Sequence, residues 1–77
     1  MRKIAVLGST GTIGRNTLDI VRRHRRLFKV TALAAGSNRD LLLSQIVEFR
    51  PLLVSVWTDA DAAALRREKV KRYMLYR

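Results

Sequence analysis

Gly8, Gly11 and Gly14 punctuate the segment Gly8-Ser9-Thr10-Gly11-Thr12-Ile13-Gly14, which directly follows the apolar run Ile4-Ala5-Val6-Leu7. A strand running into a glycine-rich turn and then a helix start aims backbone N–H groups at one point, the arrangement that binds a phosphate. The helix dipole adds about half a positive charge at that point. In such a turn Gly8 makes the tight bend, Gly11 admits a pyrophosphate and Gly14 lets helix and strand touch. The Thr10 and Thr12 hydroxyls stand among these amides as further donors. The spacing is G-x-x-G-x-x-G, not the G-x-G-x-x-G of the NAD-type fingerprint. It is not a P-loop, because Arg15 follows Gly14 where Lys would be required. Glycine-rich turns also serve purely structural ends, so the pattern that follows must decide.

A second segment selects the kind of nucleotide. NAD-binding chains place an acid about 20 residues beyond the glycines, at the end of the second strand, to accept from the ribose 2′-hydroxyl. Here that stretch reads Gly36-Ser37-Asn38-Arg39, with no acid before Asp40. Hydroxyl, amide and guanidinium donors suit a 2′-phosphate that a carboxylate would repel, which favours NADP(H). Ser37 or Asn38 also suits a helix cap, and the two roles are compatible.

The elements that position these segments alternate regularly. Residues 3–7 read as a strand and residues 12–25 as a helix, with Ile13, Thr17, Ile20, Val21 and His24 expected on its inner face. Arg22, Arg23, Arg25 and Arg26 close that helix, where the dipole favours cations. Residues 29–35 form the next strand. A second helix follows with Asp40 in its first turn, a Leu42, Ile46, Phe49 stripe and Pro51 as its stop. Residues 52–57 are almost continuously apolar, as in a parallel strand covered on both faces. Thr58 or Asp59 caps a third helix that begins near Ala60 and runs into Arg66 and Arg67. His24 is expected to pack or to compensate the dipole, Trp57 to pack in the core or near the site, and Asp59 and Asp61 to cap. Residues 68–77 leave three outcomes open: an extended third helix, a short fourth strand or disorder.

This alternation predicts an α/β fold, a partial Rossmann-like doubly wound parallel sheet of βαβαβα type with strand order 3-2-1. Its first strand is expected to be central in a complete fold, yet its other neighbour is missing. Residues 1–67 are expected to be the amino-terminal half of a nucleotide-binding domain, and 68–77 a divergent basic tail.

With 77 residues, the chain is small for one domain; chains near this size bury only about 60% of their unfolded surface. A hydrophobic share of 48% is too high for a disordered polypeptide. No apolar run approaches the roughly 18 residues of a membrane span, so no membrane partner is expected. The absence of cysteine fits a cytoplasmic chain, and one histidine with scattered carboxylates gives no metal-ligand spacing. The net charge of +10 favours anionic partners. It gathers in two clusters, Arg22 to Lys29 and Arg66 to Arg77; solvated helix ends and a basic tail are its plainest explanation.

Taken in order, RKIAVL, GSTGTIG, RNTLDIVRRH, FKVTALAAGSN and QIVEFRP resemble the amino-terminal part of the 1-deoxy-D-xylulose 5-phosphate reductoisomerase family over about residues 1–65. The resemblance implies NADPH contacts at Thr10, Gly11, Thr12, Ile13, Gly36, Ser37 and Asn38. Thr12 stands where the family often has serine. Ser37 stands where Lys or Arg is common, which shifts a charge on the 2′-phosphate to Arg39. Enzymes of this family use NADPH and Mg²⁺ or Mn²⁺ to rearrange and reduce a phosphorylated sugar, and they are homodimers. Their metal ligands, catalytic residues and substrate-phosphate residues lie beyond position 77. The resemblance thus implies a truncated, inactive chain that holds part of the cofactor. Two alternatives are a fragment of another NADP-dependent dehydrogenase and a small basic nucleic-acid-binding module using Tyr73 and Tyr76 beside Arg72 and Arg77; nucleic acid is the weaker partner.

Overall fold

The computed structural model describes residues 1–67 and 74–76. Strand β1 (Arg2–Leu7) leads into α1 (Thr12–Arg23), and β2 (Phe28–Ala35) into α2 (Arg39–Phe49). Strand β3 (Leu53–Val56) is followed by α3 (Asp59–Arg67) and β4 (Met74–Tyr76). All three strand pairs are parallel and the sheet runs β1-β2-β3-β4. The expected 3-2-1 order is therefore present, extended by β4 beside β3. Of the three outcomes open for the last residues, a short strand is realised at Met74–Tyr76; the rest of 68–77 lies outside the described residues.

Burial alternates along the strands. Val6 of β1, Val30, Leu33 and Ala35 of β2, and Val54 and Val56 of β3 form one fully buried face. Register pairs Val6 with Leu33, and Leu33 with Val54, so these side chains lie in rows. Residue 31 is an extra position in β2, where the register slips; the Thr31 hydroxyl donates to the Ile4 carbonyl at 3.2 Å and closes the gap. Leu18 and Val21 of α1, Leu42 and Ile46 of α2, and Ala62 and Leu65 of α3 complete the core.

The helices share one side of the sheet. Arg22 of α1 reaches Glu48 of α2, and Arg39 of α2 reaches Asp61 of α3, contacts that a sheet between them would forbid. The opposite face carries Ala5 and Leu7, both exposed. Residues 52–57 therefore do not form a strand buried on both faces: Leu53 and Ser55 are half-buried while Val54 and Val56 are buried. Within this chain β1 is an edge strand.

That edge also corrects the face of α1. Gly14, Leu18 and Val21 are its buried residues, whereas Ile13 is 82% and Ile20 53% exposed. Both flanks of α1 are apolar, and the periodicity does not say which one meets the sheet. The helix ends at residue 23; His24 is its exposed C-cap, with its backbone N–H shared between the Ile20 and Val21 carbonyls. Helix α2 fits its expectation better: Asn38 is the N-cap, its side chain accepting from the Leu41 amide at 3.3 Å. Thr58 caps α3, accepting from the Asp61 amide at 3.1 Å.

Candidate functional site

The turn after β1 is built by backbone geometry that its glycines permit. Gly8 has φ +66°, a conformation open to glycine at little cost, and the Gly11 amide donates to its carbonyl at 3.0 Å. Gly14 is required for a different reason. A Cβ there would stand 2.2 Å from the Gly8 carbonyl oxygen and 2.7 Å from the Ser9 Cα, so α1 and the turn can touch only without a side chain. Gly11 is under no such demand: its Cβ would meet nothing nearer than 3.4 Å.

Helix α1 starts uncapped. Gly11 is its N-cap residue, no side chain caps it, and no acid occupies its first turn. The Arg15 amide is the first to find an acceptor within the helix, at the Gly11 carbonyl. Among the described residues the amides of Thr12, Ile13 and Gly14 have no backbone acceptor. Three donors at the positive end of a helix dipole, with no acid competing for them, can bind an anion.

The second segment lies alongside. The Thr10 hydroxyl donates to the Ser37 carbonyl at 2.9 Å, tying the loop after β1 to the loop after β2. Thr10 thus uses its hydroxyl proton within the chain, leaving its amide as the donor to a ligand. Gly36 lies beneath the indole of Trp57; a Cβ there would stand 2.0 to 2.4 Å from the ring. Trp57 is 72% exposed, so of its two expected settings the near-site one is found and the core one is not. Beside it Ser37, Asn38, Arg39, Leu42, Val56 and Asp61 line a small cleft of about 60 Å³. The Arg39 guanidinium stands 3.5 Å from Asp61 and is half exposed.

The fold therefore brings Thr10, Gly11, Thr12 and Ile13 to the same end of the sheet as Gly36, Ser37 and Asn38, with a hydrogen bond between the two groups. One residue that the sequence did not single out belongs with them. Gln45 of α2 is buried and donates from Nε2 to the Ser9 carbonyl at 2.8 Å. Its place beside Ile46 on the buried side of α2 was the available signal.

At the opposite end of the sheet the first basic cluster is paired. Arg22 holds Glu48 through two nitrogens, one at 2.7 Å, and Arg25 adds a third contact at 3.0 Å. Arg23 meets Asp19 at 2.9 Å. The guanidinium carbons of Arg22 and Arg25 lie 5.5 and 5.4 Å from the centre of the Phe49 ring. The Arg22 hydrogen bond, with the charges of Arg22 and Arg25, lowers the Glu48 carboxyl below its ordinary range, and Glu48 raises Arg22 in turn. The second cluster lies outside the described side chains. Among the described residues no three His, Asp or Glu side chains gather, and no helix is long and apolar enough to cross a membrane.

Known proteins match this arrangement. A family model described as 1-deoxy-D-xylulose 5-phosphate reductoisomerase matches residues 4–76. The reductoisomerase of Solibacter usitatus is 60% identical over 65 residues, covering 84% of this chain and 16% of that protein. That of Chlorobaculum tepidum is 52% identical over 66 residues, covering 86% of this chain and 17% of its own length. Among solved structures, a DOX-P reductoisomerase in complex with NADPH, fosmidomycin and magnesium superposes with a TM-score of 0.89 at 29% identity. That match covers 99% of this chain and 19% of the other. The Zymomonas mobilis enzyme in complex with NADPH gives 0.86 at 25% identity, over 97% of this chain and 20% of its own. The chain spans 16–17% of the length of these curated relatives.

Proposed function

This chain belongs to the 1-deoxy-D-xylulose 5-phosphate reductoisomerase family, and from that premise we propose that it is the family's amino-terminal NADPH-binding segment. The observation that carries the reading is the uncapped start of α1, where the Thr12, Ile13 and Gly14 amides have no acceptor among the described residues. The cofactor diphosphate rests on these amides, with Thr10 beside them. Gly11 supports this: the protein itself makes no steric demand for glycine there, so a closely approaching ligand explains it.

The 2′-phosphate lies against Gly36, Ser37 and Asn38. Arg39 supplies the charge, since an exposed ion pair such as Arg39–Asp61 is worth about 0–1 kcal/mol and yields readily to a phosphate dianion. When bound, NADPH supplies the hydride for the reductive step. This chain's own residues bind and orient the cofactor; none is assigned to catalysis or to the metal.

In the whole enzyme the reaction is the rearrangement and reduction of 1-deoxy-D-xylulose 5-phosphate to 2-C-methyl-D-erythritol 4-phosphate, on the non-mevalonate route to isoprenoids. It depends on Mg²⁺ or Mn²⁺ and takes place in a cytoplasmic homodimer. Residues 1–67 serve as the amino-terminal half of its cofactor domain, and 68–77 as a basic tail. Nucleic acid is not proposed as a partner: the stacking residues Tyr73 and Tyr76 have side chains outside the described set, and much of the first basic cluster is paired with acids.

Trp57 provides the test, because its ring lies on Gly36. Titration with NADPH is expected to change Trp57 fluorescence at concentrations at least tenfold below those needed with NADH. Equal responses to the two cofactors in a folded chain overturn the reading.

A further inference from the structure

Gly8-Ser9-Thr10-Gly11 is a four-residue turn closed by the Gly11 amide on the Gly8 carbonyl at 3.0 Å. Its central peptide joins Ser9 to Thr10. In turns of this kind the central peptide has two orientations, related by a flip of about 180°, that leave the closing hydrogen bond in place; the flipped one needs a positive φ at Thr10, costly for a β-branched residue, and Thr10 does not have it. The peptide is planar and trans, so the Ser9 carbonyl and the Thr10 amide point in opposite directions. The choice of orientation decides whether a ligand outside the turn meets an N–H donor or a carbonyl oxygen.

Gln45 secures the orientation that Thr10 favours. Its Nε2 donates to the Ser9 carbonyl at 2.8 Å from a site that is 4% exposed, and Ser9 is fully buried. The carbonyl is thereby held inward and the Thr10 N–H turned away from the core. The side chain is not there for packing alone. Gln45 Oε1 and Ser9 Oγ are buried without a hydrogen-bond partner among the described residues, a cost that Leu or Met at position 45 would lessen. Helix α2 also begins at Asn38, directly after the loop that Thr10 reaches through Ser37. One helix thus carries the second loop at its start and the clamp on the first loop about two turns further on.

We propose that Gln45 is a positioning residue: by holding the Ser9 carbonyl it fixes the Ser9–Thr10 peptide so that the Thr10 N–H, not a carbonyl oxygen, faces the cofactor diphosphate. The ligand in this statement rests on the NADPH reading above; the orientation of the peptide does not.

The test is Gln45→Met in the 77-residue chain, which keeps the length of the side chain and removes the donor. NADPH binding is expected to weaken at least tenfold. Adenosine 2′-monophosphate, which lacks the diphosphate, is expected to bind within twofold of wild type. Unchanged NADPH affinity, or equal weakening of both ligands, overturns the proposal, the latter because it marks a merely structural role. In ligand-free ¹⁵N spectra the Thr10 amide signal of the variant is expected to shift or broaden while Val30 and Val54 stay in place. An unmoved Thr10 signal overturns it as well. If the variant does not fold, exchange of the Gln45 side-chain amide in wild type decides: slow exchange supports the clamp and free exchange with water overturns it. A wild-type chain that takes up no NADPH sinks the cofactor reading, and the ligand-free spectra then judge Gln45 by themselves.

Discussion

The two ends of the sheet treat their polar groups in opposite ways. At the end where the strands finish, the Thr12, Ile13 and Gly14 amides have no acceptor among the described residues and no acid stands in the first turn of α1. At the end where the strands begin, Arg22, Arg25 and Glu48 satisfy one another over the Phe49 ring. Three of the five cations in that cluster are thus held by acids, and the sparse charge, a helix dipole with three backbone donors, has no partner among the described residues. In a chain of net charge +10 the proposed anion site is therefore marked by open backbone donors, not by the number of arginines.

The sharpest way to break this contrast is at Gly14. Gly14→Ala drives a methyl group to 2.2 Å from the Gly8 carbonyl oxygen, a backbone atom that cannot step aside. A loss of about 3 kcal/mol or more is expected in thermal unfolding followed by circular dichroism, enough to unfold a chain of marginal stability. Gly8→Ala should cost less, about 1–2 kcal/mol, because its Cβ meets open space and only the positive φ is strained.

Gly11→Ala separates fold from ligand. Its Cβ makes no contact nearer than 3.4 Å, so melting should move by less than the equivalent of about 1 kcal/mol. NADPH affinity, read by titration, should nevertheless fall about tenfold, which corresponds to about 1.4 kcal/mol.

The paired end gives the smallest effect. Glu48→Gln is expected to cost about 1 kcal/mol or less at neutral pH, since the pair is partly exposed, and to leave NADPH affinity unchanged. The sign of its pH dependence follows from the lowered carboxyl. The folded state binds the Glu48 proton less readily than the unfolded chain. The contribution is therefore complete above the unfolded value of about 4.3, and is lost as pH falls through the lower folded value. Chemical denaturation at a series of acid pH values should show the difference between wild type and Glu48→Gln vanishing there.

Particular residues show how far the sequence could be read. The glycine spacing announced the turn because two of its glycines answer a local demand, φ at Gly8 and helix contact at Gly14. The cap at Asn38 was legible for the same reason. The inner face of α1 was not. Ile13 and Ile20 are as apolar as Leu18 and Val21, and only the position of the sheet selects between the two flanks. Trp57 was open between core and site because an indole suits either, until Gly36 left room for it. Gln45 was missed because nothing in its neighbours along the chain hints at a carbonyl 36 positions away.

The order of strands and helices, the glycine turn before α1 and the family of this chain were determined by sequence alone, since spacing, periodicity and glycine placement act over a few residues at a time. Tertiary structure alone decided which flank of α1 is buried, that Glu48 pairs Arg22 and Arg25, and that Gln45 and Thr10 join the two loops. Those contacts link residues 23 to 36 positions apart, and such distances are closed only when the elements pack against a common sheet.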